Sequence, residues 1–198
     1  MGFLDALLGR SKPVRPDLDR LFALPAAAVT LRAGADLLPT GVGSVCFASV
    51  EGGGFTRLRR EVRDLLDSDR AHGEDPVRFS RDQYGYTWLL ARHPPEDLPS
   101  LVNDLHAVNT LLSETGFGPQ LLCSLVGFRP VEDHTGSGAH PLALVYLYKR
   151  GTFYPFAPLP GEKRATALEL RVRGLLEDDL SIEPDLSRWF PVWGAPGI

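Results

Sequence analysis

Residues 86–116 have the sequence YTWLLARHPPEDLPSLVNDLHAVNTLLSETG and contain a strand pattern followed by a helix pattern. Residues 86–92 combine aromatic and aliphatic side chains, which is typical of a β-strand. Three prolines then lead into a segment in which apolar residues recur at the helical spacing. These apolar positions are Leu98, Leu101, Val102, Leu105, Val108, Leu111 and Leu112. We expect a helix of four turns here, and Gly116 is placed to end it.

Further strands and helices are predicted on both sides of this helix. The strands are expected over 42–50, 77–80, 121–128, 142–149 and 152–156. The other helices are expected over 55–68 and 165–176, where apolar residues again follow the helical period. Because the strands are grouped as hairpins and the helices stand between the groups, the sequence predicts an α+β fold. In that fold, a mainly antiparallel sheet is packed by amphipathic helices on one side.

The chain is expected to divide into a central domain with a segment at each end. The predicted divisions are residues 1–40, 41–180 and 181–198. The first contains short apolar pieces broken by prolines, including a short helix that Asp17 begins and Pro25 closes. We expect this segment to pack on the domain or to extend from it. The second is a single α+β domain, and the third is a tail rich in aromatic residues and proline.

Composition and charge restrict the class of protein. The 198 residues suit a single domain, and the net charge of −4 leaves no surplus of lysine and arginine to neutralise phosphates. We therefore expect no nucleic-acid partner. The apolar start of the chain meets Asp5 too early for a secretory signal, and Cys46 and Cys123 are too few for a disulfide framework. These features favour a cytoplasmic protein.

The sequence contains no compact catalytic or metal-binding motif, so we expect no enzymatic activity, no cofactor and no bound metal. Three alternatives stay open. Glycines 52–54 precede a helix and could present backbone N–H groups to an anion. His134 and His140 share one polar loop with Asp133 and could meet a metal ion. An active site assembled in space from these loop residues or from a cysteine is the third alternative.

Apolar side chains near the two chain ends are the candidate contact residues for a partner. They are Phe3, Leu4, Leu7 and Leu8 at the start of the chain and Trp189 and Trp193 in the tail. The first four recur at helical spacing over two turns, which is marginal for an isolated helix. They suit a partner's groove, the surface of a bilayer or the domain itself. The two tryptophans suit either packing against the domain or an exposed anchor.

Three strings carry a resemblance to a known family: MGFLDALLGRSKPVRPDLDRLFALP at 1–25, TGVGSVCF at 40–47 and FSRDQYGYTW at 79–88. They resemble the PspAB family, which comprises PspA-associated proteins of actinobacteria and some archaea. The resemblance implies a cytoplasmic accessory protein of the phage-shock response, in which PspA, a coiled-coil membrane-remodelling protein, responds to envelope stress. The order of strands and helices is also similar to the type III secretion-chaperone-like fold, which binds protein partners. None of these strings is a catalytic motif.

The leading hypothesis is therefore a non-enzymatic adaptor that binds PspA or a related partner in the cytoplasm or at the inner face of the membrane. The second hypothesis is a module that binds a small anionic ligand or a peptide on the sheet face or at glycines 52–54. The third is an enzyme with a spatially assembled site.

Overall fold

Six antiparallel strands form the central sheet of the computed structural model, which describes residues 16–48, 53–67, 77–131 and 140–198. In chain order they are β1 (Leu37–Ala48), β2 (Val77–Arg81), β3 (Tyr86–Arg92), β4 (Leu121–Pro130), β5 (Leu142–Leu147) and β6 (Thr152–Phe156). Their order across the sheet is β2-β3-β1-β4-β5-β6. Two short strands, β7 (Pro158–Leu159) and β8 (Lys163–Arg164), pair separately.

Four α-helices occur within the described residues. They are α1 (Leu24–Ala35), α2 (Gly53–Asp67), α3 (Leu98–Leu112) and α4 (Thr166–Leu176). All four contribute side chains to one large apolar core with one face of the sheet. The predicted α+β class, with a mainly antiparallel sheet packed by amphipathic helices, is confirmed. The likeness to the secretion-chaperone-like fold stays a prediction.

Helix α3 follows the predicted pattern closely. The Asp97 side chain accepts a hydrogen bond from the Ser100 backbone N–H at 3.2 Å, which caps the first turn. The apolar residues of its inner face are buried in the core. Gly116 has a φ of 90°, a conformation that glycine adopts without strain, and it lies in the irregular turn after the helix. The predicted helix and its glycine terminator are both present.

The start of the described chain differs from the sequence prediction. A 3-10 helix, Leu18–Ala23, leads directly into α1, and Pro25 lies in the first turn of α1. The prediction that Pro25 closes a short helix is therefore wrong. Proline has no N–H group, and the first N–H groups of a helix need no intrahelical partner, so proline is tolerated there. Strand β1 begins at Leu37 and crosses the predicted division between residues 40 and 41.

The second face of the sheet is covered by the C-terminal residues. The Phe153 backbone N–H donates to the Ser181 carbonyl, and the Glu183 N–H donates to the Phe153 carbonyl, both at 2.8 Å. The chain then crosses the sheet as far as Gly197, whose carbonyl lies against Gly127 of β4. The predicted tail thus packs on the domain, and its aromatic residues form a second, smaller apolar core with the sheet.

Candidate binding cleft

A cleft of about 620 Å³ lies on the second face of the sheet, beside the C-terminal residues. Its walls come from the β2–β3 turn, from the neighbouring ends of β1 and β4, and from residues 190–193. Its aromatic lining consists of Tyr84, Tyr86, Trp88, Tyr154, Phe190 and Trp193. The cleft is therefore a concave surface, rich in aromatic side chains, of a size found for binding sites.

Asp82 organises the wall formed by the β2–β3 turn. One carboxylate oxygen, Oδ1, accepts hydrogen bonds from the backbone N–H groups of Tyr84 and Tyr86, each at 2.9 Å. The other oxygen, Oδ2, accepts from the Trp88 indole N–H at 2.8 Å. Gly85 has a φ of 85°, which lets the chain reverse between the two tyrosines. One carboxylate thus holds three aromatic residues in position at the cleft.

Trp189 supports the C-terminal wall of the cleft, which residues 190–193 form. Its ring stacks on Tyr154 with 6.0 Å between centroids, and its indole N–H donates to the Glu183 carbonyl at 3.0 Å. The Tyr154 hydroxyl donates to the Phe190 carbonyl at 2.8 Å, which holds the next residue at the edge of the cleft. Arg164 donates to the Trp189 carbonyl at 2.5 Å. The wall is thus held by both side-chain packing and hydrogen bonds to the backbone.

The Glu183 carboxylate anchors the start of the tail to the sheet. Its side chain is fully buried and accepts hydrogen bonds from the Thr152 hydroxyl at 2.7 Å and the Arg150 guanidinium at 3.1 Å. Burial alone raises the pKa of Glu183, but the hydrogen bonds from Thr152 and Arg150 outweigh it and leave the pKa below its ordinary value. Glu183 is therefore ionised in the folded protein at neutral pH.

The floor of the cleft contains the two cysteines. Cys46 of β1 and Cys123 of β4 are direct partners in the strand register. The register then passes to Phe47 and Leu121, which leaves Leu122 as the extra residue of a β-bulge that also lines the cleft. A hydrogen bond with the Cys123 thiol, together with burial, raises the pKa of Cys46 well above its ordinary value. The Cys46 thiol is therefore protonated at neutral pH.

The charged groups at the cleft are acidic. Asp82 and Glu162 both belong to its lining, and no lysine, arginine or histidine does so among the described residues. Three lining aromatics are also exposed: Tyr84 by 57%, Tyr86 by 41% and Phe190 by 59%. The cleft thus combines exposed ring surface with negative charge.

The sequence-predicted contact residues fall in different places. Phe3, Leu4, Leu7 and Leu8 lie outside the described residues, so their contact role stays a prediction. Trp193 lines the cleft and makes an edge contact with Phe156, with 4.9 Å between ring centroids. Trp189 is buried beneath the cleft, with 5% of its surface exposed, so it supports the wall. The pattern of the sequence did not distinguish these two tryptophans.

The alternative sites considered from the sequence are only partly within the described residues. Gly52, His134 and Asp133 lie outside them, whereas glycines 53 and 54 form the start of α2. His140 is described, and no group of three metal-ligating side chains is found in the described ranges. None of the helices in the same ranges has the length and apolar character needed to cross a bilayer.

Sequence reasoning missed the exposed aromatics of the cleft. A usable signal was present in Tyr84-Gly85-Tyr86, since tight turns ordinarily favour small and polar residues and here two tyrosines flank the turn glycine. The contribution of Phe190 depends on the path of the tail over the sheet. That path follows from long-range contacts, which a local pattern does not contain.

The fold and the cleft define an α+β protein with one helix-covered sheet face and an aromatic, acidic cleft on the other. The chain belongs to the PspAB family, PspA associated protein B, whose family model matches residues 1–197. The family found by comparison is the one expected from the sequence. A search of curated proteins and a search of solved structures each found no match.

Proposed function

We propose that this protein is a non-enzymatic adaptor that binds PspA, or a closely related partner, in the envelope-stress response. The observation that carries the proposal is membership of the PspA-associated family over residues 1–197. The cleft adds a surface suited to a protein partner, because exposed aromatic side chains contribute strongly to protein–protein interfaces. The proposed place of action is the cytoplasm, including the inner face of the membrane.

The first described residues contact the end of the sheet that also contributes to the cleft. The Asp17 carbonyl accepts a hydrogen bond from the Tyr146 hydroxyl at 2.8 Å, and Arg20 donates to the Gly151 carbonyl at 2.8 Å. The Gly151 N–H in turn donates to the carbonyl of Leu147, which lines the cleft. Residues 17–20 are thus anchored at the end of the sheet where the cleft lies.

The chemistry of the cleft supports a binding role over catalysis. The Cys46 thiol, whose raised pKa keeps it protonated, is a poor nucleophile. The Asp82 carboxylate already accepts three hydrogen bonds that shape its own turn. Cys46 and Asp82 therefore have structural roles in the cleft.

The proposal is tested by mixing the full-length protein with purified PspA from the same genome and separating the mixture by size-exclusion chromatography. We expect the two proteins to elute together. The double variant Leu4→Asp/Leu7→Asp should elute separately from PspA while its circular dichroism stays unchanged. Gly9→Asp/Ser11→Asp is a matched control, because it adds the same two charges without removing apolar side chains. Separate elution of the wild-type protein and PspA contradicts the proposal.

A second candidate function is the binding of a small ligand in the cleft. The supporting observation is the volume of about 620 Å³, which is within the range of about 300–1,000 Å³ typical of ligand pockets. A thermal-shift screen tests this candidate, since a ligand present at about 100 times its Kd adds about 2.7 kcal/mol to stability. A raised Tm that Phe190→Ala abolishes supports a ligand in the cleft. A library that leaves Tm unchanged counts against it.

A further inference from the structure

We infer that the cleft receives an arginine side chain from the partner polypeptide. The inference rests on the proposed function in one respect: the arginine belongs to a protein. Three properties that occur together at the cleft support the inference. They are exposed aromatic rings, carboxylates that form no ion pair, and a cleft volume larger than that of one side chain.

The exposed rings supply the first part of the recognition. Tyr84, Tyr86 and Phe190 expose between 41% and 59% of their surface around one cavity. A cation placed over the face of an aromatic ring is attracted by the negative charge density of that face. The protein already contains such contacts, for example the Arg164 guanidinium over the Phe156 ring at 5.2 Å. The rings of the cleft can accept the same kind of group from a partner.

The carboxylates supply the second part. Asp82 accepts three hydrogen bonds from N–H donors, and no ion pair of its carboxylate is found among the described residues. Glu162 is exposed and lines the cleft, and its carboxylate has neither a hydrogen bond nor an ion pair within the described part of the chain. An incoming cation therefore meets two lining carboxylates, neither of which forms an ion pair within the described part of the chain. Their attraction adds to that of the rings.

Arginine fits this combination better than lysine does. The guanidinium is planar and stacks on an aromatic ring, and its five N–H donors bond to carboxylate oxygens at the same time. It is also more weakly hydrated than an ammonium group, so its transfer into an aromatic cleft is less costly. The volume of about 620 Å³ leaves room for apolar residues on either side of the arginine. A short partner segment with an arginine between apolar residues matches the cleft.

The first arm of the test measures the affinity of full-length protein for purified PspA by isothermal titration. Tyr84→Ala removes an exposed ring, and Glu162→Gln removes a charge with almost no change in shape. Phe22→Ala is the matched control, since Phe22 is a 47% exposed aromatic residue outside the cleft. We expect each cleft variant to weaken binding by about fivefold or more, whereas the control leaves the affinity unchanged.

The second arm uses two acetylated and amidated tripeptides, Leu-Arg-Leu and the same peptide with citrulline in place of arginine. Citrulline has almost the shape of arginine but no charge. The intrinsic fluorescence of the protein reports on the cleft, because the chain has three tryptophans. Trp88 and Trp193 line the cleft, and Trp189 stacks on its lining residue Tyr154. We expect the arginine peptide to change the fluorescence at a concentration at least about fivefold lower than the citrulline peptide.

The outcomes separate this inference from the proposed function. If PspA binds the wild-type protein and both cleft variants equally, the adaptor function stands and the inference is wrong. If the two peptides bind equally, or neither binds, arginine recognition is wrong. If PspA does not bind but the arginine peptide is preferred and Glu162→Gln removes the preference, the cleft recognises arginine and the proposed function fails.

Discussion

Replacing Trp189 with alanine tests whether the tail is an integral part of the fold. The Trp189 side chain is 5% exposed, its ring stacks on Tyr154 with 6.0 Å between centroids, and its indole N–H donates to the Glu183 carbonyl at 3.0 Å. Alanine removes the ring, the aromatic contact and the hydrogen bond together. The substitution should therefore weaken the attachment of the tail to the sheet.

The cost of Trp189→Ala can be estimated from these contacts. Truncation of a buried aromatic side chain costs about 3–5 kcal/mol. Of this, the aromatic pair contributes about 0.5–1.5 kcal/mol and the hydrogen bond about 1 kcal/mol, and lost burial accounts for the rest. For a chain of 198 residues, such a change lowers Tm by roughly 10 °C.

Urea unfolding followed by far-UV circular dichroism measures the effect without relying on tryptophan fluorescence. Phe190→Ala is the control, because the neighbouring Phe190 ring is 59% exposed and its removal should change the free energy of unfolding by less than about 0.5 kcal/mol. A loss below about 1 kcal/mol for Trp189→Ala, or equal losses for the two variants, refutes the described packing.

Three further predictions concern two glycines, the Glu183 carboxylate and the two cysteines. Gly127→Ala should destabilise the protein by about 1–3 kcal/mol, because the new Cβ would collide with the Gly197 carbonyl oxygen. Gly174→Ala lies in a helix with no atom within 4 Å of the new Cβ, so it should stabilise the protein by about 0.5–1 kcal/mol in the same unfolding assay. Because the pKa of Glu183 is lowered in the folded state, its ionised carboxylate stabilises the fold fully above the ordinary pKa of 4.5, and this stabilisation is lost as the pH falls below that value. Glu183→Gln should therefore flatten the stability–pH curve below pH 4.5, and an unchanged curve would contradict the lowered pKa of Glu183. Cys46 and Cys123 are both buried, so they should react with a thiol reagent at pH 7 far more slowly in the native protein than in urea. Equal rates would contradict their burial and the raised pKa of Cys46.

The elements with strong periodicity could be predicted from the sequence. Strand β3 lies where it was predicted, and α3 begins at the predicted residue, because each combines a regular apolar pattern with clear end signals. The α+β class follows from the same local patterns, since hairpins separated by helices leave few arrangements for the sheet.

The start of the domain shows where local reasoning failed. Pro25 was interpreted as a helix terminator, although proline also occurs in the first turn of a helix, and here the following residues continue as α1. The alanine-rich helix carries only a weak apolar pattern. Its position depends on packing against other parts of the chain, to which Leu24, Ala27 and Leu31 contribute buried side chains.

The cleft was the least predictable feature of the protein. The strands that contribute Cys46, Trp88 and Cys123 were each expected, but their common face becomes a cleft only when the tail crosses it. The course of the tail depends on the buried Glu183, whose partners Arg150 and Thr152 lie about 30 residues earlier in the chain. Long-range hydrogen bonds of this kind leave no periodic signal in the sequence.

The most direct test of the adaptor proposal is an isothermal titration of untagged full-length protein with purified PspA from the same genome. An untagged chain keeps both the N-terminal residues and the C-terminal wall of the cleft unaltered. The proposal predicts saturable heat with a defined stoichiometry, and weaker binding by Leu4→Asp/Leu7→Asp. The absence of binding heat at several temperatures, with both proteins folded by circular dichroism, would contradict it.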